Sequence, residues 1–352
     1  TVRTQPLALE ARALEHLAEM LTWTEGFQPA VQMSSRALAA RERARGPDHH
    51  EVAFTLYQLA RYKAVLGDCV EARAMADRCL EIRTRAFGAD AGTVAYGLIA
   101  VANVQRICGR TGDGLAALER ALQLFEKTRG PDHPSVAWLL HKLAGSVLGR
   151  YGDVDRSLSL HQRALSIREN VLGPEHPTVA RSLRYLACAR FHDGARGEGF
   201  ALMERALRMA RQAHGSDHFI VDDTAMELGD LHLMSWNTDE ATNRFEAALE
   251  SHRRRLPEND WRIATLTFDQ GIAAHQRQNR QGCLSQAEQA IAIQEAGYGT
   301  RNVSALGYRI RLAALLRAYG ELEAAQEQLA LVLQRSDPPQ YVHLWALVEQ
   351  SK

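Results

Sequence analysis

The sequence carries no excess charge of either sign and no long apolar run. Lys plus Arg and Asp plus Glu number 42 each among the 352 residues, so no bulk electrostatic field draws the chain to nucleic acid or to an anionic membrane. No apolar run approaches the roughly 18 residues that a membrane-spanning helix needs, and the opening TVRTQPLALE lacks the apolar core of a signal peptide. We therefore expect neither a nucleic acid nor a membrane as partner.

Cysteine is scarce, and its copies form no local pair. The five cysteines stand singly within predicted helices, with no CxxC motif and an odd total. Buried free thiols of this kind are typical of a reducing compartment, so we expect a cytoplasmic protein. The residues concerned are Cys69, Cys79, Cys108, Cys188 and Cys283.

Catalytic motifs are also missing. The sequence contains no GxxxxGK[ST] phosphate loop, no GxSxG and no HExxH. Cys188 and His192 lie four residues apart on one predicted helix face, as a thiol and an imidazole would, but no third group or oxyanion donor accompanies them. Arg253-Arg254-Arg255 is similar to a nucleic-acid patch but falls in the last turn of a predicted helix, where a solvated end is expected. The sequence predicts no enzyme and no cofactor.

What the sequence does contain is a period of 42 residues. The stretch from 130 to 168, GPDHPSVAWLLHKLAGSVLGRYGDVDRSLSLHQRALSIR, recurs along the chain with changes. Its opening residue returns at spacings of 42, 42, 43, 42, 42 and 42, and a small residue follows each time fourteen positions later. A fixed period of this length indicates a solenoid of stacked repeats. The opening residues are Gly46, Gly88, Gly130, Gly173, Gly215, Pro257 and Gly299, and the small residues are Ala60, Ala102, Ala144, Ala187, Gly229, Gly271 and Ala313.

The pattern within each repeat predicts two helices. Apolar residues recur at intervals of three and four, which favours helix over strand. We expect each opening glycine to take a left-handed conformation at a helix end, and Pro134 and Pro177 to lie in the first turn of the next helix. The adjacent Asp-His or Glu-His pair, such as Asp132-His133, is expected to cap that helix. Because these pairs recur once per repeat, we interpret them as caps and predict no metal site.

We expect one continuous all-α solenoid of about eight helix pairs with a C-terminal capping helix. Residues 1–45 form a divergent first unit, residues 46–335 form seven 42-residue units, and residues 336–352 form the capping helix. A tail that docks on a partner is the alternative for this last segment. The extra residue between positions 134 and 151 predicts a bulge or a longer loop, and Pro257 predicts a bend.

These motifs resemble the tetratricopeptide repeat family, in the 42-residue variety found in kinesin light chains and in large bacterial signalling proteins. The resemblance implies a right-handed superhelix whose first helices line a concave groove that holds an extended partner peptide. Its motifs are GPDHP at 130–134, GPEHP at 173–177, Leu-Ala at 59–60, 143–144 and 186–187, and Glu71-Ala72.

The resemblance also implies a function. We expect a non-catalytic protein- or peptide-binding scaffold that serves as the recognition or sensor module of a larger bacterial signalling or defence protein. The chain begins with Thr1 and not Met, from which we expect a mature product or an excised piece of a longer polypeptide. A structural oligomerisation scaffold, acting through its ends or convex face, is the alternative, and the oligomeric state is left open.

The family's groove positions lie six and three residues before the small residue of each repeat and one residue after it. Along the repeats their character changes from aromatic to basic to acidic, and packing between helices is the alternative for the aromatic members. The LYQLA, LHKLA and LRYLA segments lack the asparagine pair that kinesin-light-chain-like repeats use to hold a peptide backbone. The predicted binding residues are Phe54, Tyr57, Arg61, Tyr96, Ile99, Asn103, Trp138, His141, Arg181, Arg184, Asp223, Met226, Asp230 and Phe268.

Overall fold

The computed structural model describes residues 4–24, 26–109 and 111–335. Within these ranges the chain forms sixteen helices and no strand, which confirms the all-α prediction. The predicted capping helix at 336–352 lies outside them. The helices are α1 (Thr4–Thr24), α2 (Phe27–Arg45), α3 (Val52–Val65), α4 (Cys69–Phe87), α5 (Gly92–Ile107), α6 (Thr111–Arg129), α7 (Pro134–Tyr151), α8 (Val154–Leu172), α9 (Pro177–His192), α10 (Arg196–His214), α11 (Phe219–Met234), α12 (Thr238–Arg255), α13 (Trp261–Gln276), α14 (Arg280–Tyr298), α15 (Val303–Ala318) and α16 (Leu322–Arg335).

Each repeat corresponds to one helix pair, and the junctions end and begin helices as expected. The imidazoles of His133, His176 and His218 are helix N-caps, each of which accepts a hydrogen bond from the backbone N–H two residues ahead at 3.1 to 3.2 Å. Gly130 follows α6 with φ of 92°, a conformation that only glycine adopts without steric cost. The capping role predicted for these histidines is therefore confirmed.

The extra residue of the fourth repeat lengthens a helix. Helix α7 has 18 residues where α9 has 16, and the loop after α7 is the two residues 152–153 where the loop after α9 is the three residues 193–195. The predicted longer loop is therefore wrong. Helix α13 begins four residues after Pro257, as α9 begins four residues after Gly173, so the proline junction keeps the repeat register.

The chain divides into two compact units, each with its own core. Unit 1 comprises Thr1–Leu124, Leu256–Trp261 and Ile291–Lys352, and unit 2 comprises Phe125–Arg255 and Arg262–Ala290. In unit 1 the fully buried Tyr62 packs with small residues of the first repeat. In unit 2 the fully buried Leu183 belongs to a cluster formed by α8, α9 and α10. None of the helices in the described ranges has the length and apolar character needed to cross a membrane.

Unit 1 contains contacts between residues that are far apart in sequence. The side-chain amide of Asn302 donates to the carbonyl of Val65, 237 residues earlier. A Cβ added to Gly67 would lie 2.5 Å from the backbone oxygen of Arg301, so only glycine fits there. In a solenoid each repeat ordinarily contacts only its neighbours. These contacts explain why unit 1 includes residues from both ends of the chain.

A disulfide joins Cys69 and Cys108, whose Cα atoms are 5.8 Å apart. Cys69 is the first residue of α4 and Cys108 caps α5, so the bond links two neighbouring repeats. The prediction of five free thiols is therefore wrong for this pair. Sequence reasoning missed it because the two residues are 39 positions apart and become neighbours only when repeats stack. Cys79 and Cys283 are buried free thiols and Cys188 is a half-buried one.

We predict that reduction of this disulfide weakens unit 1. Closing a loop of this length typically contributes about 2–4 kcal/mol to the free energy of unfolding. Urea unfolding with and without a phosphine reductant measures the loss, and the Cys69→Ala/Cys108→Ala double variant should show no response to reductant. Thiol titration of the denatured, unreduced protein should find three reactive thiols, since two of the five cysteines are bonded; a count of five contradicts the bond.

Two non-glycine residues stand where other repeats have a left-handed glycine. Trp236 and Gln278 have φ of 61° and 60°, and the equivalent position holds glycine in five other repeats. A left-handed conformation costs a residue with a Cβ about 1–2 kcal/mol, whereas glycine adds only about 0.5–1 kcal/mol of chain entropy. Some strain is therefore stored at both turns.

We predict that Gln278→Gly raises the free energy of unfolding by about 0.5–1 kcal/mol, because it removes this strain from an exposed turn. The reciprocal change, Gly320→Ala, should lower it by about 1–2 kcal/mol, since φ there is 82° and no atom lies within 4 Å of the added Cβ. Urea unfolding measures both. An unchanged or lower stability for Gln278→Gly contradicts the prediction.

Candidate functional site

The predicted groove residues separate by register into an exposed line and a buried line. Those six positions before the small residue are exposed or half-buried, and those three positions before it are mostly buried. The first set therefore offers surface to a ligand, and the second fills the seam between helices. The first set contains Phe54, Tyr96, Trp138, Arg181 and Asp223, and the second contains Tyr57, Ile99, His141, Arg184, Met226 and Phe268.

In unit 1 the structure brings four of the predicted residues into three contacts. The side-chain amide of Asn103 donates to the hydroxyl of Tyr57 at 3.0 Å. The guanidinium of Arg83 lies 6.0 Å from the ring centre of Tyr96, and that of Arg61 lies 5.1 Å from the ring of Tyr62. Tyr96 is 41% exposed and Phe54 is 45% exposed, so neither ring is buried in the core.

Phe54 borders a cleft of about 320 Å³ that lies wholly within unit 1. Its walls combine arginine side chains with exposed aromatic rings, of which Phe87 is 44% exposed and lies 5.2 Å from the ring of His50. This volume is large enough for one or two side chains of a partner. The lining residues are Arg12, Arg41, His50, Glu51, Phe54, Arg83, Phe87 and Thr93.

The cleft carries more positive charge than its own carboxylates neutralise. Arg41 is fully paired: its Nε and Nη2 donate to the two oxygens of Glu15 at 2.8 and 2.6 Å, and its Nη1 to Glu51 at 3.2 Å. Arg12 and Arg83 have no ion pair with any described residue. The Nη1 of Arg83 donates to the carbonyl of Thr93 at 3.3 Å, and its buried Nε has no acceptor.

In unit 2 the predicted residues form internal ion pairs and packing contacts. Arg184 forms a bidentate pair with Glu227, and Asp223 lies 3.7 Å from the Nε of Arg262. The ammonium of Lys142 lies 4.8 Å from the ring of Trp138. The remaining members differ in exposure: Arg181 is exposed, Asp230 is half-buried, and Met226 and Phe268 are buried.

A buried arginine at the end of α8 is the centre of a polar cluster in unit 2. Arg168 is only 3% exposed. Its Nη1 contacts three neutral acceptors: the carbonyl of Thr178 at 3.1 Å, the hydroxyl of Ser182 at 2.7 Å and the Nε2 of His141 at 3.1 Å. The Nε and Nη2 of Arg168 donate to no described residue. No carboxylate neutralises this cation within the described ranges.

The two histidines of this cluster are held neutral. Since the guanidinium of Arg168 can only donate, Nε2 of His141 must accept, which assigns the proton of His141 to Nδ1, 2.8 Å from Nδ1 of His161. Burial, followed by the charges of Arg168 and of nearby groups, lowers the pKa of His141 to about 2. Burial lowers the pKa of His161 to about 4. The half-exposed ring of Tyr185 stacks on His161 at 5.7 Å.

Two other motifs considered for chemistry have structural surroundings. Burial, with the charge of Glu227 adding to it, raises the pKa of the Cys188 thiol to about 12, which disfavours a thiolate nucleophile at neutral pH. In the 253–255 arginine run, Arg255 contacts Asp222 and Arg254 lies 3.2 Å from Glu250. Within the described ranges, no three His, Cys, Asp or Glu side chains come close enough to hold a metal ion.

Sequence reasoning missed the arginines on the second helices. Arg41, Arg83 and Arg168 occupy the same position of three repeats, but the groove rule considers only first helices. The spacing of 42 between the first two, and of 85 between the last two, was a signal that could have found them. Arg12 was missed because the groove positions were counted from the second repeat onward.

Two models of the tetratricopeptide repeat family match the chain. One matches residues 9–85 and 93–153, and the other matches residues 136–178 and 179–220, which together cover more than half of the sequence. The chain belongs to the tetratricopeptide repeat family. No curated protein matches it in sequence.

Several solved structures share this fold. A Rap protein in complex with competence and sporulation factor has a TM-score of 0.60 at 11% identity, with 97% of this chain and 99% of that chain covered. A kinesin light chain of Podosopora anserina with nearly identical TPR-like repeats has a TM-score of 0.50 at 21% identity, with 58% and 97% covered. A signal transduction ATPase from Pyrococcus horikoshii with a tetratricopeptide repeat sensor has a TM-score of 0.51 at 14% identity, with 97% and 50% covered. At these identities the likeness concerns the fold alone.

We predict that unit 2 loses stability as the pH falls from about 6.5 towards 4. In the unfolded chain His161 takes up a proton near pH 6.5, whereas in the folded chain its pKa is about 4. The unfolded state therefore binds more protons in this window. The stability that the neutral imidazole contributes is present above pH 6.5 and is reduced by about 2 kcal/mol at pH 5.

Urea unfolding at pH 7.5 and pH 5 measures this loss. His161→Gln should make the loss smaller by about 2 kcal/mol, because glutamine does not titrate. His192→Gln, at an exposed histidine of the same unit, is the matched control and should leave the loss unchanged. An equal loss in the wild type and in His161→Gln contradicts the prediction.

Proposed function

We propose that this chain is a non-catalytic scaffold that binds an extended segment of a partner protein, with the cleft of unit 1 as an anchoring site. The observation that carries the proposal is the combination of exposed Phe54 and Phe87 with two arginines, Arg12 and Arg83, that no described carboxylate neutralises. Aromatic residues and arginine are the side chains that most often dominate the energy of an interface.

The cleft favours an apolar or aromatic anchor side chain flanked by hydrogen-bond acceptors. When an apolar side chain of the partner covers a ring that is exposed to water, the burial of apolar surface favours binding. Arg83 offers a buried Nε with no acceptor, and a bound carbonyl or carboxylate would satisfy it. The occupant we propose is therefore a peptide segment and not a nucleic acid or a lipid.

A role as the recognition or sensor module of a larger bacterial signalling or defence protein is the finer part of the proposal. It is supported by analogy with the Rap protein found with competence and sporulation factor and with the ATPase that carries a repeat sensor. Fold likeness alone does not transfer a function, so this part depends on the binding test below. The cytoplasmic location likewise remains a prediction, since the bonded Cys69 and Cys108 no longer support a reducing compartment.

We predict that the cleft variants Phe54→Ala and Arg83→Gln weaken peptide binding by roughly ten- to a hundredfold, because each removes a contact at the centre of the interface. Peptides are first selected from a displayed random library on the full chain, and the affinity of a labelled selected peptide is measured by fluorescence anisotropy. Arg120→Ala, at an exposed arginine of α6 in the same unit, is the control and should change the affinity by less than about twofold.

Two outcomes contradict the proposal. If both cleft variants bind as the wild type does while changes at Leu344 or Trp345 abolish binding, the partner docks on the tail. If no peptide is enriched and the mass in solution rises with concentration, the oligomerisation scaffold is the better interpretation.

A further inference from the structure

Repeats one and four place an arginine in the same position with different partners. Arg41 stands five residues before Gly46, which opens the next repeat, and Arg168 stands five residues before Gly173. In the first repeat, Glu15 stands three residues before the small residue Ala18. In the fourth, His141 stands three residues before Ala144. The two sites can therefore be compared atom by atom.

The comparison shows that Arg168 lacks a carboxylate. In the first repeat Nε and Nη2 of Arg41 hold both oxygens of Glu15, and the hydroxyl of Thr55 also donates to Glu15. In the fourth repeat the imidazole of His141 contacts Nη1 of Arg168, and Ser182 takes the position of Thr55. The Nε and Nη2 edge that binds the carboxylate at Arg41 has no acceptor at Arg168 among the described residues.

We propose that the guanidinium of Arg168 binds an aspartate or glutamate side chain of the partner segment. An arginine edge of this kind matches the two oxygens of a carboxylate, and the resulting pair is among the stronger hydrogen-bonded contacts in proteins. A buried cation without a counter-charge destabilises the free protein. A carboxylate of the partner would neutralise Arg168 as Glu15 neutralises Arg41 in the first repeat.

The surroundings of Arg168 favour an anion over any other ligand. Arg181 is exposed, forms no ion pair with a described residue, and is close enough for its charge to bear on both Arg168 and His141. His141 and His161 are neutral, so they add hydrogen-bonding capacity and no competing negative charge. The half-exposed ring of Tyr185 packs against His141 and His161 of the cluster.

The inference rests on the proposed function, and one pair of substitutions separates the two. His141→Glu places a carboxylate where Glu15 stands in the first repeat and should occupy the open edge of Arg168. His141→Gln has the same size but carries no charge. We expect peptides selected on the wild-type chain to contain a recurrent Asp or Glu. His141→Glu should bind such a peptide about tenfold or more weakly than His141→Gln does, because only the glutamate competes for the edge of Arg168.

Three further measurements complete the test. His141→Glu should unfold at a higher urea concentration than His141→Gln, because its carboxylate neutralises Arg168. A selected peptide with its acidic residue changed to the amide should bind the wild type about tenfold more weakly and should not distinguish the two variants. Arg208→Gln, at an exposed arginine of α10 in the same unit, should leave binding unchanged.

The outcomes are distinguishable. If the library yields no peptide on the wild type, the proposed function fails and this inference fails with it. If peptides are selected but lack a recurrent acidic residue, or if His141→Glu and His141→Gln bind them equally, a peptide-binding scaffold remains and the assignment to Arg168 is overturned.

Discussion

The close approach of the two helices within each repeat is the constraint on which the stack depends. The contact occurs at the small residue fourteen positions after the repeat begins. An added Cβ at Gly229 would lie 2.6 Å from the ring of Phe245, and one at Gly271 would lie 3.1 Å from the backbone oxygen of Cys283. A helix pair packed this closely still leaves one face uncovered, which the next repeat must bury. The 42-residue period of the sequence reflects this packing requirement.

The parts of the fold that depend on neighbouring residues were predictable from the sequence. Helix ends, the left-handed glycines and the capping imidazoles such as His133 follow from local chemistry that recurs along the repeats. The parts that depend on distant residues were not predictable. The bond between Cys69 and Cys108, and the approach of Arg301 to Gly67, join positions whose proximity exists only after stacking. Periodicity carries no information about either contact.

The candidate site also has parts that could be predicted from the sequence and parts that could not. Register in a first helix predicts direction, which is why Phe54 and Tyr96 are exposed at equivalent positions. It does not predict burial. The position three residues further along the same helix faces the seam with a second helix, and Ile99 and Phe268 are buried at that position. Residues on second helices contribute to the seam as well, so Arg83 and Arg168 were outside the rule, which considered first helices alone.

The position of Arg168 shows how function can be separated from folding in a repeat protein. At the same position two other repeats have Phe125 and Ala210, and both side chains are buried. An apolar residue therefore satisfies the packing, and the buried pair in the first repeat is one solution among several. An unpaired buried cation costs stability that phenylalanine or alanine would not cost. The Nη1 bonds of Arg168 join it to the next repeat, whereas its Nε and Nη2 edge has no role in stacking among the described residues, and that edge is the part we propose for a carboxylate.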